Sequence, residues 1–306
     1  MPLSSIGDPI ARMDCQNIRI QNGFKLTRVG VTGVKKPVTV KRGNKTVTLT
    51  CNFDIFVNLP SSQKGSHLSR NLEVVSEIVD QTIREPVSGL EVLSAQICKL
   101  LLERHEYASY SETHVTADYF LEKITPSGKR TLEPYQLMAK AVSKRDNGIK
   151  KMIGVRVTGM TACPCAMETI RDELLGEKGS SCADFPTITH NQRNVTTVMI
   201  EVPEEYDVEA DDLIEIVERS FSSPTYEILK RSDEARIVLR AHSNPKFVED
   251  VVREILSQIL ERYGHLPDDV VVTVRSESEE SIHKHNAFAE RITTMKELKN
   301  DQVIFY

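Results

Sequence analysis

Thr46-Val47-Thr48-Leu49-Thr50-Cys51-Asn52-Phe53-Asp54-Ile55-Phe56-Val57 is the stretch that decides the fold. Val47, Leu49, Cys51, Phe53, Ile55 and Val57 alternate with Thr46, Thr48, Thr50, Asn52 and Asp54. A period of two makes a strand with one buried and one polar face. Upstream, Ile18, Ile20 and Phe24 precede Leu26, Val29 and Val31, and Arg42-Gly43-Asn44 is a turn signal, so two long antiparallel strands are expected. Downstream, Leu68, Leu72, Val75 and Val79 lie at helical spacing up to Pro86. Ser88 with Glu91 three residues later reads as a capping box for a second helix, buried through Leu90, Leu93, Ile97 and Leu101. Val115, Ala117, Tyr119 and Leu121 return to strand alternation, and Pro126-Ser127-Gly128 turns the chain.

The second half repeats this order more loosely. Residues 151–157, 195–202 and 270–274 read as strands. Leu213, Ile216 and Val217 mark one helix with an acidic first turn. Asn244-Pro245 reads as a cap and first helical position for another, burying Phe247, Val251, Ile255 and Ile259. Strands flanking a helix pair, twice over, predict an α+β protein with an antiparallel sheet and helices on one face. The expected division is 1–128 and 129–306, the second part carrying the insertion between Cys165 and His190.

The 306 residues include 40% apolar and 27% charged side chains, enough for a sizeable core. A net charge of −5 argues against a general nucleic-acid binder, which needs a basic face. No run of about eighteen apolar residues suggests a membrane span. Met1-Pro2-Leu3-Ser4-Ser5 has no signal-peptide character, so a cytoplasmic location with reduced thiols is expected. Of six cysteines, Cys15, Cys51 and Cys98 are isolated, and the last two fall on apolar faces.

Cys163-Pro164-Cys165 is the exceptional pair. Proline makes it a defined corner. C-x-C is too tight for a structural zinc knuckle, and no second pair exists. Two readings stay open: a turn with half-buried thiols, or a thiolate ligand beside His190-Asn191-Gln192-Arg193 and the His283-Lys284-His285 pair. Cys and His are ligands that suit a borderline transition metal. His283 and His285 would face one way in an extended segment, and the acidic run 277–280 beside them reads as solvent-exposed. Gln63-Lys64-Gly65-Ser66-His67-Leu68-Ser69-Arg70 opens a helix, and reads either as an ordinary capped start or as an anion site.

Taken in order, the 63–70 segment, Ala117-Asp118-Tyr119-Phe120-Leu121, Cys163-Pro164-Cys165, His190-Asn191-Gln192-Arg193 and Ser281-Ile282-His283-Lys284-His285-Asn286-Ala287 resemble one family. The likeness, to the type IB GTP cyclohydrolases and especially their archaeal branch of methanopterin biosynthesis, covers nearly the whole chain. It implies a tunnelling fold (T-fold) of two ββααββ modules, assembled as a homodimer or homotetramer with active sites between modules. It implies metal-dependent hydrolysis of GTP with Fe2+ as the ion, Mn2+ and Zn2+ being the alternatives. In the archaeal branch the product is 7,8-dihydroneopterin 2′,3′-cyclic phosphate, with formate and pyrophosphate released.

By motif, the resemblance makes Cys163 the metal-binding, catalytically important cysteine and His190 the next ligand. It makes His283 and His285 a pair for metal or protons, and His67 a substrate contact. Lys64, Arg70 and Arg193 are candidates for phosphate. The glutamate that anchors guanine in the bacterial branch falls here on Leu239, and a second one on Pro224; Glu227 is the nearby substitute. The long insertion and His242 fit the archaeal branch. A type IB-like GTP cyclohydrolase making 7,8-dihydroneopterin triphosphate for folate or deazapurine pathways is the alternative within the resemblance, and two further rivals remain at this point. One is an enzyme of the same fold using Cys163 as a covalent nucleophile without metal. The other is a non-catalytic oligomeric purine- or pterin-binding protein.

Overall fold

The computed structural model describes residues 16, 22–43, 45–175 and 188–303. Cys15, Ile18, Ile20, Asn44 and residues 176–187 of the insertion lie outside them. The expected strand at 46–57 is β2 (Lys45–Leu59), paired antiparallel with β1 (Leu26–Arg42). Leu49, Cys51, Phe53, Ile55 and Val57 are buried, as period two requires. Helices α1 (Leu68–Arg84) and α2 (Leu90–Arg104) follow, then β3 (Tyr110–Ile124) and β4 (Arg130–Lys144). A tight turn ending at Gly148, whose φ of 71° favours glycine, leads directly into β5 (Gly148–Ala162). Then come α3 (Pro164–Leu175), β6 (Asn191–Glu201), α4 (Ala210–Ser220) and the two-residue β7 (Ser223–Pro224). The chain continues through α5 (Arg231–Ser243), α6 (Val248–Tyr263), β8 (Val271–Glu279), β9 (Ala287–Thr294) and α7 (Met295–Val303).

The tunnelling fold of two equivalent ββααββ modules is not what this chain forms. The strands make one nine-stranded antiparallel sheet in the order β1-β2-β3-β4-β5-β6-β8-β9, with β7 on β5. The two halves join by a backbone ladder running from Gln136↔Arg156 to Lys144↔Gly148. The second half inserts α3 between its first two strands and places α4, β7, α5 and α6 before β8. The buried apolar side chains form a single cluster from Val38 to Leu298, so one core serves both halves. The alternation along each strand was readable, but alternation does not say whether a sheet stops at a turn or continues through it. The expected 128/129 division falls at the turn of the β3–β4 hairpin.

Several local expectations shift. Leu68 and Leu72 lie exposed, and the buried stripe of α1 is Asn71, Val74, Val75, Ile78, Val79 and Thr82. Asn71 belongs to that stripe because its Oδ1 meets the buried His105 Nε2 at 2.7 Å. The Ser88 capping box does not form; Gly89 is the N-cap of α2, without a side-chain cap bond. Asn244 is the C-cap of α5, and the half-exposed Phe247 is the N-cap of α6. Asn244 Nδ2 instead donates to the carbonyl of Phe221 at 3.3 Å. The far end of β1 is clipped by the loop after α1: Lys41 N donates to Val87 O at 2.7 Å, and Val87 N to Thr39 O at 3.2 Å. Cys51 and Cys98 are buried, and burial pushes both thiols up to about 12.

Candidate active site

At one end of the sheet the core face turns from apolar to polar. On β5, Ile153, Val155 and Val157 give way to Thr161; on β6, Ile200 and Val198 give way to Thr196, Asn194 and Gln192. On β8, Val272 and Val274 give way to Ser276 and Ser278. Asn194 joins these columns: its Oδ1 accepts from Thr196 and Ser276, each at 2.8 Å, and its Nδ2 donates to Ser278 at 2.9 Å. Buried polar groups require such partners.

Cys163 sits above this floor, between β5 and α3. Pro164 suits the first helical position because its missing N–H would have no helical partner. Ala166 N points at Cys163 Sγ, 3.5 Å away. The pairing of β5 with β6 brings His190 alongside: Cys163 N donates to His190 O at 3.0 Å, and Thr189 Oγ1 to Cys163 O at 2.8 Å. The residues on either side of the insertion are therefore stitched together. His190 Nδ1 lies 3.7 Å from Glu280 Oε2, and both atoms are buried without a hydrogen-bond partner. The ring of His283 stands perpendicular to that of His190 at 6.4 Å, and His285 stacks on His283 at 5.1 Å. The 281–285 segment is a bend between β8 and β9 rather than a strand, yet the two rings share a side. Asn191 Nδ2 lies 3.5 Å from His242 Nε2, and burial lowers the His242 pKa.

Glu280 is the residue that the sequence reading passed over. The acidic run 277–280 was expected to be solvated, but the Glu280 side chain is only 9% exposed. It continues the buried column Val272, Val274, Ser276 and Ser278 by one more step of two, which was the available signal. Cys165 is exposed on α3, away from this role.

The other expected residues are not gathered here. Lys64, His67 and Arg70 lie at the opposite end of the strands. The pairs Val57↔Ser111, Ser111↔Ser143 and Ser143↔Ile149 align that end with the start of β5, whereas Cys163 follows its last residue. The separation along β5 is roughly 40 Å at about 3.3 Å per residue. There Ser66 Oγ meets Tyr107 Oη, Tyr107 Oη meets His105 Nδ1, each at 2.8 Å, and His105 Nε2 reaches Asn71. Burial lowers the His105 pKa to about 4, keeping the ring neutral. The ring of His67 lies 6.3 Å from that of Tyr107, and Arg70 donates to Arg104 O at 3.0 Å. Arg193 alternates onto the open face of the sheet, opposite Gln192 and Asn194. Glu227 is exposed after β7, its N–H donating to the buried Glu133 at 2.9 Å. Leu239 is half exposed on α5.

One thiol, an imidazole with a free buried nitrogen and a carboxylate with a free buried oxygen are donors that fit a borderline divalent metal. As they lie, no three His, Cys, Asp or Glu side chains among the described residues are grouped closely enough to hold an ion. Among the described residues, no helix is long and apolar enough to cross a membrane.

Comparison with known proteins adds the lineage. A uricase from Arthrobacter globiformis has a similar fold, with a TM-score of 0.50 at 8% identity, over 88% of this chain and 93% of its own. That likeness concerns fold alone, and it lies with a uricase architecture rather than with the expected module pair. The curated protein "GTP cyclohydrolase MptA" of Methanosphaera stadtmanae is 46% identical over 303 residues, 94% of this chain and 97% of that protein. Its namesake from Methanocaldococcus jannaschii is 43% identical over 305 residues, 95% of this chain and 97% of that protein. The family model described as "Type I GTP cyclohydrolase folE2" matches residues 13–289, a span that holds Cys163, His190, Glu280 and the histidine pair, and so this chain belongs to that family of enzymes.

Proposed function

We propose that the chain is a metal-dependent GTP cyclohydrolase of methanopterin biosynthesis. It converts GTP to 7,8-dihydroneopterin 2′,3′-cyclic phosphate and releases formate and pyrophosphate. The observation that carries this is the meeting of Cys163, His190, Glu280 and His283 at one polar end of the sheet. Relatives named "GTP cyclohydrolase MptA" at 43–47% identity support the pathway.

Cys163 and His190 would hold the metal, with Glu280 and the histidine pair beside them; ferrous iron is the proposed ion. When bound, a divalent ion supplies Lewis acidity for attack on the purine at neutral pH. The chain's own residues do the rest. Water adds at C8, the imidazole ring opens, a second hydrolysis releases C8 as formate, and the freed amine condenses with the opened, rearranged ribose, losing water, to close the dihydropterin ring. Each step moves protons, and the stacked, exposed His283 and His285 are suited to carry them between base and solvent. In the cyclising step a ribose oxygen attacks the α-phosphorus and the bond to the β-phosphate breaks.

A triphosphate needs cations. Lys64 and Arg70, with His67, lie at the wrong end of the same chain, which supports an assembly in which a second copy presents them. A homodimer or homotetramer would do this. Arg193 and Glu227 are further candidates for substrate contact.

The test is an anaerobic assay with GTP and added ferrous iron, following formate, pterin absorbance and 31P signals. Pyrophosphate with a cyclic phosphate supports the proposed product; a retained triphosphate would point to the type IB reaction. Cys163→Ala is expected to abolish turnover, and full activity in that variant would sink the assignment. Mixing inactive Cys163→Ala and His67→Ala chains is expected to restore part of the activity, because a mixed assembly contains intact composite sites. No recovery in confirmed mixed oligomers would refute the shared site.

A further inference from the structure

We propose that Gln192 is a positioning residue that aims Glu280 at His190. The inference rests on the reading above, that this end of the sheet handles the substrate. Gln192 is the last buried residue of the β6 column, 9% exposed, between Thr161 of β5 and Glu280 beyond β8. Its Nε2 donates to Glu280 Oε1 at 3.3 Å. Glu280 Oε2 is thereby the oxygen left toward His190 Nδ1, at 3.7 Å.

The floor explains why this contact can be selective. Asn194 and Ser278, two residues before the pair on their respective strands in the direction of the core, are tied directly to one another. Ser276 and Thr196 fix the next step down. The backbones carrying Gln192 and Glu280 are therefore held at a set separation, and the freedom left is in two side chains. One amide hydrogen bond removes most of it. Glutamine does this without adding charge. A lysine or arginine in its place would pair with the carboxylate and weaken its attraction for a cation or proton beside His190. Arg193 sits next in sequence, but strand alternation turns it to the other face.

A second observation supports the assignment. His190 Nδ1, Gln192 Oε1 and Glu280 Oε2 are three buried polar atoms without partners, all in this one cluster. Buried polar groups are normally satisfied, and clustered exceptions mark a place built for something else. The Gln192 amide therefore has one end spent on Glu280 and the other facing the same unfilled demand.

Gln192→Met keeps the length of the side chain and removes both amide groups. It is expected to lower kcat about 10- to 100-fold, the range for groups that orient a ligating residue, with KM within about twofold. The 15N imidazole resonances of His190, recorded on the same protein, should shift, while the melting curve stays cooperative. Gln192→Asn withdraws the amide by one methylene and should do the same; it decides the matter if the methionine variant does not fold. Wild-type kcat with unchanged His190 resonances would overturn the proposal, as would a change confined to KM. If the wild type itself fails to turn GTP over, the functional reading falls, and the His190 resonances still decide whether Gln192 aims Glu280.

Discussion

Glu112 on the sheet and Glu280 just past the end of β8 both have buried carboxylates, and their surroundings differ in kind. Glu112, on β3, takes hydrogen bonds from Tyr110 at 2.7 Å and His114 at 2.6 Å, and pairs with Lys140 at 3.0 Å and Arg28 at 3.6 Å. Burial pushes its carboxyl up, but the bonds from Tyr110, His114 and Lys140 outweigh that and hold it at about 2. Glu280 has one amide donor and one oxygen with nothing attached. A fully satisfied buried charge ties strands together. A half-satisfied one carries a desolvation cost that its own fold does not offset, and this marks it for a ligand or a reaction. The first group is satisfied within the fold, and the second is the one left open to a partner.

The sharpest way to break this contrast is Glu280→Gln. It should cost about 10³-fold in kcat, within the range for a group that holds or moves protons, and leave the urea midpoint near wild type. A variant that loses stability instead would place Glu280 with Glu112. Next in size is Glu112→Gln, expected to lose about 2 kcal/mol of unfolding free energy, as charged hydrogen bonds of this kind contribute. Its activity should survive at temperatures where it is folded; loss of turnover in the folded variant would end the distinction.

A graded effect comes from pH. His105 in the folded chain has its pKa lowered from 6.5 to about 4, so between those values the unfolded chain binds more protons. Stability is therefore fully present above pH 6.5 and falls as pH drops toward 4, by about 1.4 kcal/mol per unit. Glu112 is depressed from 4.5 to about 2, so its contribution is present above 4.5 and is lost below that. Denaturant midpoints measured from pH 8 to 3 should be flat, then fall from about 6.5. His105→Gln should shrink the upper part of the fall, with His242, whose pKa burial also lowers, supplying the remainder, and leave the lower part. An unchanged profile in that variant would show that another group titrates there.

Much of the sheet was legible because alternation is a direct consequence of strand geometry; β2 needed nothing else. The meeting of Cys163, His190 and the histidine pair was legible from residue chemistry and motif. What escaped had specific causes. Asn71 is polar yet buried, because His105 waits for it across the helix pair, so hydropathy set the wrong phase for α1. Glu280 looked like the end of a solvated acidic run, since charge hides the period of two. The distance between His67 and Cys163 could not be read, because spacing along a chain does not say at which end of a strand a loop emerges. Nor could the continuity of the sheet through the β4–β5 turn.

The clip at the end of β1 has a consequence for assembly. Val87 occupies the outward N–H of Lys41 and the outward C=O of Thr39, so those two groups are not free to pair with another strand. Any chain that adds to this border must pair upstream of it, along 26–38. The clip works as a stop on a ruler: it forbids sliding toward the loop and narrows the offsets at which two copies could join. Loosening it, by shortening the loop around Val87, would free those groups and lengthen the stretch of strand edge open to pairing.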